Sequence, residues 1–236
     1  MKQFGVWAIA LKCKGGYAME QPEIIFEDDT ILVCYKPAGF ATQTSRVDEE
    51  DMVSYLANYR AQKGESPYIG LILRLDQPVE GVMVFAKTKE AAADLSRQMH
   101  EHLIEKKYYA IVTPREGLSE EGEFVDYILK DSLESKAKIV LGDAPRAKKA
   151  LLKYQTIRTN GDKRLLDISL HTGRFHQIRV QFAGRKAPIL GDKKYGGVET
   201  NRMLALCAYR VTFLHPKSRE TVVYQIEPKG EDFKRI

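Results

Sequence analysis

The sequence predicts an α+β protein whose central sheet is mainly antiparallel and flanked by helices and loops. Apolar runs of strand length recur along the chain. Two of them meet at Asn160-Gly161, a strong hairpin signal, and helix-spaced segments are inserted among the rest.

The elements follow in order. Residues 1–18 show no hydrophobic period and break at Gly15-Gly16. Residues 1–22 are therefore expected to be a flexible extension, with Met19 an alternative start, and residues 23–230 a single domain. Residues 31–35 form a short apolar strand, closed by the turn Lys36-Pro37-Ala38-Gly39. Over residues 52–63, Val53, Leu56 and Ala57 fall at helical spacing. Residues 82–86 are a continuous apolar strand. Thr88 then offers an N-cap, and Ala92, Leu95, Met99 and Leu103 mark one helix face. Residues 108–113 return to strand composition. Residues 151–157 and 165–171 are the hairpin strands; in the second, Leu166, Ile168 and Leu170 alternate with Asp167 and Ser169. Phe175, Ile178 and Phe182 give helix spacing ended by Gly184, and residues 204–213 and 221–226 are strands separated by a turn at Pro216.

Composition narrows the function. The 236 residues are 44% hydrophobic and 29% charged, values of a soluble globular protein. The net charge of +5 is too small to name a partner, but it is unevenly placed. Residues 20–51 hold nine acids against two bases, while residues 136–153 and 172–195 each hold six bases against one acid. Such runs fit either solvated faces or a surface facing a polyanion. Three scattered cysteines, Cys13, Cys34 and Cys207, argue against a disulfide framework or thiolate metal site and for a reducing compartment. No apolar run approaches the ~20 residues of a membrane span, and no signal peptide is evident. A phosphate loop and a GxGxxG turn are both missing, and His100 and His102 lie two apart on a helix, where they diverge, so neither nucleotide cofactor nor metal is expected.

Three segments are placed for chemistry. Arg74-Leu75-Asp76-Gln77-Pro78-Val79-Glu80-Gly81 leads into a buried strand and holds a carboxylate two residues from an arginine. Alone, it also fits a surface ion pair. In His171-Thr172-Gly173-Arg174-Phe175-His176-Gln177-Ile178-Arg179 a strand ends and a polar helix begins, with Arg179 at the margin of its apolar face. A partly buried arginine needs a carboxylate, and Asp76 is a candidate. In Lys106-Lys107-Tyr108-Tyr109-Ala110 the two strand tyrosines must face opposite ways.

In this order the segments resemble the RluA-type pseudouridine synthases. The early Lys-Pro-x-Gly turn corresponds to Lys36–Gly39, a Lys-x-Tyr-x-Ala strand to Lys106–Ala110, and Thr-Gly-Arg-x-His-Gln-Ile-Arg to Thr172–Arg179 throughout. Pro-Ile-x-Gly-Asp-x-x-Tyr-Gly corresponds to Pro188–Gly196, and a late His-Pro turn to His215-Pro216. The central His-Arg-Leu-Asp-x-x-Thr-Ser-Gly is altered: Leu73 stands for its histidine, and Val79 and Glu80 for its threonine and serine, while Arg74 and Asp76 are kept.

The resemblance implies a pseudouridine-synthase-like fold and the isomerisation of uridine to pseudouridine in ribosomal or transfer RNA, by a monomeric cytoplasmic enzyme that needs no cofactor or metal. It implies Asp76, Tyr108 and Arg179 as the catalytic residues. Asp76 would be nucleophile or essential base, attacking either the sugar carbon or the uracil ring. Arg179 would orient it and keep it ionised. Tyr108 would stack on the target base and assist proton removal from carbon 5. RNA contacts would come from Arg74, Lys36, Arg174, His176 and Gln177, with Arg74 filling the gap left by the flipped base. The altered loop leaves an alternative, a catalytically silent RNA-binding or RNA-folding protein on the same scaffold. A metal-dependent RNA hydrolase fits less well, for want of clustered carboxylates.

Overall fold

The computed structural model describes residues 20–46, 48–131, 133–198, 200 and 203–236. The expected extension over residues 1–22 lies outside them except for its last three residues. Eleven strands form one sheet: β1 (Glu23–Glu27), β2 (Ile31–Lys36), β3 (Gly70–Leu71), β4 (Glu80–Ala86), β5 (Glu105–Val112), β6 (Glu121–Asp131), β7 (Lys136–Val140), β8 (Lys148–Asn160), β9 (Lys163–Leu170), β10 (Leu206–Leu214) and β11 (Thr221–Gln225). Helices α1 (Met52–Gln62), α2 (Lys89–His100) and α3 (Gln177–Ala183) are inserted between them. The strand order is β1-β2-β4-β10-β5-β9-β8-β6-β7, with β11 on β10 and β3 on β4. Among the named strands every pairing is antiparallel except β4 with β10. The expected α+β fold is observed.

The continuous apolar run at residues 82–86 is explained by burial on both faces. Met83 and Phe85 enter one core with α1, and Val82, Val84 and Ala86 enter a second with α2. Each of the valine, methionine and phenylalanine side chains stabilises the fold by roughly 1.5–3 kcal/mol. The Thr88 hydroxyl accepts from Ala91 N at 3.1 Å, as its N-cap position requires. The α2 helix ends at His100, so Leu103 falls beyond it and is 46% exposed. The hairpin turn sits one residue later than the Asn-Gly pair suggests: Gly161-Asp162 connects β8 to β9, with Gly161 at φ +61.

Two corrections concern the third helix. It begins at Gln177, because His176 is left-handed at φ 52. Phe175 is therefore off the helix and stacks on the His176 ring at 3.8 Å. Gly184 ends the helix at φ −62, and its lack of a side chain serves space: a Cβ there would lie 2.7 Å from Ile139 Cδ1. Strands β1, β3, β6 and β7 were not legible. In β6, Phe124 and Ile128 point inward while Val125 and Tyr127 stay exposed, so the apolar residues do not follow one alternation. The lysine-rich β7 is a sheet edge, where charge discourages pairing with another chain.

Candidate active site

The loop before β4 carries Arg74 and Asp76 and is pinned from below. Thr42 Oγ1 donates to Leu75 O at 2.8 Å and accepts from Leu75 N at 3.2 Å. Gly39 N donates to Gln77 O at 2.8 Å. Lys36 Nζ donates to three carbonyls: Phe40 at 2.6 Å, Pro37 at 2.9 Å and Gln77 at 3.1 Å. Where the loop becomes strand, Gly81 sits at φ +153 and a Cβ would come within 2.5 Å of Ala208 Cβ, so only glycine lets β10 pass this closely.

Arg179, near the start of α3, reaches this loop. Its Nη1 donates to Asp76 Oδ2 at 3.1 Å. Its other arm is committed elsewhere: Nε and Nη2 grip the two Asp192 oxygens at 2.8 Å each, with the Asp192 side chain fully buried. Against the desolvation of burial, Asp192 and Asp76 hold the guanidinium above its ordinary value. Asp192 is carried by a tight turn in which a Cβ on Gly197 would lie 2.1 Å from Ile189 O.

His176 closes the group. The Tyr195 hydroxyl accepts from Ala137 N at 2.7 Å and shares a hydrogen bond with His176 Nδ1 at 2.8 Å. The His176 Nε2 faces Asp76 Oδ2 at 3.5 Å. Burial, with Arg179 and Lys194 adding, pushes the imidazole down to about 3, so it is neutral at physiological pH. Both contacts to Asp76 fall on Oδ2, and Oδ1 takes no hydrogen bond from the described residues. Burial pushes the Asp76 carboxyl up, and Asp192 adds to this, by more than Arg179 and Lys36 pull it down. Arg179 thus acts on Asp76 in the expected sense, favouring the ionised carboxylate, while desolvation sets the net direction.

Tyr108, from β5, joins Asp76 in the wall of a cavity of about 270 Å³ whose floor is apolar, with Leu73, Leu75, Val79 and Ile178. Burial, with Asp76 adding, pushes its hydroxyl up, so it is a neutral phenol at physiological pH. Arg74, Asp76, Arg174, His176 and Arg179 also line an outer groove of about 720 Å³, which makes the groove the mouth of the cavity. Arg74 is exposed there, with Nη2 on Gln43 Oε1 at 3.1 Å, and Arg174 Nε holds Lys149 O at 2.8 Å.

Of the expected RNA contacts, Lys36 is corrected and Gln177 is largely buried. Lys36 is 0% exposed with its ammonium spent on carbonyls; burial pushes it down to about 7, and it braces the Asp76 loop. Gln177 is 3% exposed but lines the cavity, and its amide joins Thr172, Arg174 N and Leu151 O, holding the turn before α3. Two residues of the Pro188–Gly196 motif, to which no site role was assigned, join the site: Asp192 and Tyr195. The signal for Asp192 was present, since it is the lone acid among six bases in residues 172–195. Among the described residues no group of three or more His, Cys, Asp or Glu side chains is placed to hold a metal, and no helix is long and apolar enough to cross a membrane.

The family model for RNA pseudouridylate synthases matches residues 30–184. The chain belongs to this family. An uncharacterised RNA pseudouridine synthase of Bacillus subtilis (strain 168) is 32% identical over 219 residues, 91% of this chain and 70% of that protein. A tRNA pseudouridine synthase C of Vibrio parahaemolyticus is 30% identical, over 85% of this chain and 88% of that protein. A ribosomal large subunit pseudouridine synthase D of Zymomonas mobilis is 31% identical, over 87% of this chain and 68% of that protein. Among solved structures, human RNA pseudouridylate synthase domain containing 4 shares the fold, with a TM-score of 0.72 at 22% identity over 87% of this chain and 88% of that one.

Within the pseudouridine synthase, the three altered loop positions have structural roles. Leu73 and Val79 extend the apolar wall of the cavity. Glu80 turns away from it: its carboxylate accepts from Tyr35 Oη at 2.8 Å and from Lys229 N and Gly230 N at 3.0 Å each, which fastens the C-terminal segment.

Proposed function

We propose that this pseudouridine synthase isomerises uridines in a transfer or ribosomal RNA, as a cytoplasmic monomer, with Asp76 as the reacting carboxylate. The supporting observation is the asymmetric Asp76 side chain: Oδ2 is held by Arg179, and Oδ1 takes no hydrogen bond from the described residues at the cavity. In the reaction the C1′–N1 bond breaks, the base turns, and a C1′–C5 bond forms. The proton lost from C5 is matched by one gained at N1, so no electrons are exchanged. A carboxylate that attacks must be oriented before the substrate arrives, which Arg179 supplies. The target uridine reaches the cavity by flipping, at a cost of a few kcal/mol, and Arg74 at the mouth is positioned to fill the gap. Tyr108 stacks on the base as a neutral phenol. Both RNA classes named by the relatives remain substrates to test.

The protein is incubated with cellular tRNA and rRNA and pseudouridine is mapped by mass spectrometry. Wild type gains pseudouridine at defined sites. Asp76→Asn loses at least ~10³-fold in rate while RNA affinity stays within about twofold. An RNA-folding protein on the same scaffold predicts the reverse, with Asp76→Asn complementing a deletion fully and no RNA gaining pseudouridine.

A further inference from the structure

Lys106 lies two residues before Tyr108 on β5, so both side chains take the same face of the strand and both line the cavity. Lys106 is only 9% exposed. Its sole hydrogen-bond partner among the described residues is the Met99 thioether at 4.0 Å, and it makes no ion pair there. Its ammonium sits beneath the turn before α3, where a Cβ on Gly173 would lie 3.9 Å from Nζ. The neighbouring charge is another cation, Arg174. The cavity's one carboxylate, Asp76, is already held by Arg179. A second opening of about 500 Å³ also has Lys106 in its wall, and its one carboxylate, Glu105, is an exposed residue on the opposite face of β5. Among the described residues Lys106 and Arg174 thus converge with no acid between them, a costly arrangement for a buried ammonium unless a ligand brings the counter-charge.

We infer that Lys106, with Arg174, receives a phosphodiester of the RNA strand beside the flipped uridine, so that the cavity grips a nucleotide and not only a base. The inference rests on the reading of this cavity as a uridine pocket. Phosphate is the anionic group of RNA; a uracil carbonyl is neutral and would not offset the repulsion between the two cations. Burial, with Arg174 adding, pushes the Lys106 ammonium down to about 8, so part of its charge is lost in mildly alkaline solution unless an anion is bound. The other charged or titratable groups in the two linings are Tyr108, Arg210, Arg74, His176 and the Asp76–Arg179 pair in the cavity, and His102, Glu105, Lys107 and His171 in the second opening.

The test is calorimetric titration with uridine, uridine 5′-monophosphate and uridine 3′-monophosphate. Wild type is expected to bind one monophosphate about tenfold or more tightly than the nucleoside. Lys106→Met removes that advantage and Lys106→Arg keeps it. Raising the pH above about 8 erodes the advantage in wild type but not in Lys106→Arg, whose charge is permanent. Equal binding of all three compounds to wild type, or an undiminished advantage in folded Lys106→Met, overturns the inference. If Lys106→Met does not fold, the same pH dependence in wild type and Lys106→Arg overturns it. Asp76→Asn should keep the full phosphate advantage. Failure of any RNA to gain pseudouridine would then sink the proposed function while leaving this reading standing.

Discussion

Residues 136–153 and 172–195 carry the same charge, six bases and one acid each, and the fold uses them in opposite ways. In the second stretch Arg179 is buried and bonded to two carboxylates, Arg185 is paired to Asp126 at 2.9 Å, and the single acid, Asp192, is sealed in the core. In the first stretch Lys138, Arg146, Lys148, Lys149 and Lys153 are exposed on β7, β8 and their connection. Lys138 meets Asp131 at 2.9 Å and Lys153 meets Glu123 at 3.2 Å, surface pairs of the kind worth ~0–1 kcal/mol. A basic run therefore does not mark an RNA footprint by its charge count. In one run two arginines brace buried or half-buried carboxylates while Arg174 opens on the groove; in the other run most of the bases are exposed.

The largest effect should come from removing the one acid of the braced stretch. Asp192→Asn leaves Arg179 buried with half its clamp gone, and breaking a buried pair of this kind costs ~3–5 kcal/mol. Denaturant unfolding should register that loss. Single-turnover pseudouridine formation should fall ~10²-fold or more at temperatures where the variant is folded, because Asp76 loses its orienting partner. RNA affinity should be nearly unchanged. A variant with wild-type stability and rate would mean that Arg179 is held by Asp76 alone and that the two basic stretches differ less than their burial indicates.

How far this contrast could be read from the sequence depends on which interactions are local. The strand at residues 82–86, the cap at Thr88 and the alternation of Leu166, Ile168 and Leu170 are set by neighbours in the chain, so periodicity finds them. The pairing of Asp76 with Arg179 spans 103 residues and was reached by the rule that a buried arginine needs an acid. The same rule admits two acids, and only the fold shows that Asp192 takes Nε and Nη2 while Asp76 takes Nη1. Lys36 and Gln177 looked like RNA contacts because they are polar residues in motif turns. Their amide and ammonium groups satisfy backbone carbonyls, a demand created by the packing of the loops and not visible in any one segment. Strand β7 was hidden because an edge strand keeps charge where a central strand keeps valine.

The exposed stretch should respond through salt and not through the chemical step. Changing Lys148, Lys149 and Lys153 together to Gln should lower the slope of log affinity against log salt by ~2–3, or ~0.7–0.9 for each phosphate no longer neutralised. The rate at saturating RNA should stay as in wild type, and stability should move by no more than ~0.5 kcal/mol. An unchanged slope would remove this hairpin from the RNA interface and leave the groove around Arg74 and Arg174 as the phosphate-binding surface.

The smallest effect tests the braced stretch from its other end. The Asp76 carboxyl is pushed above its ordinary value of 3.8, chiefly by burial. A carboxyl raised in the folded state binds its proton more tightly there than in the unfolded chain, so its contribution to stability is present at low pH and is lost as pH rises through the folded value. At neutral pH the ionised Asp76 therefore weighs against the fold, even with Arg179 beside it. Asp76→Asn removes that charge and should unfold at a slightly higher temperature than wild type near neutral pH. The difference should shrink as the pH falls toward 3.8 and the wild-type side chain takes up its proton. A variant less stable than wild type at neutral pH would show that the bond to Arg179 outweighs the desolvation of the carboxylate. In that case the pairing would stabilise the fold as well as orient the reacting group, and the cost of the site would fall on Lys106 and its unpaired charge instead.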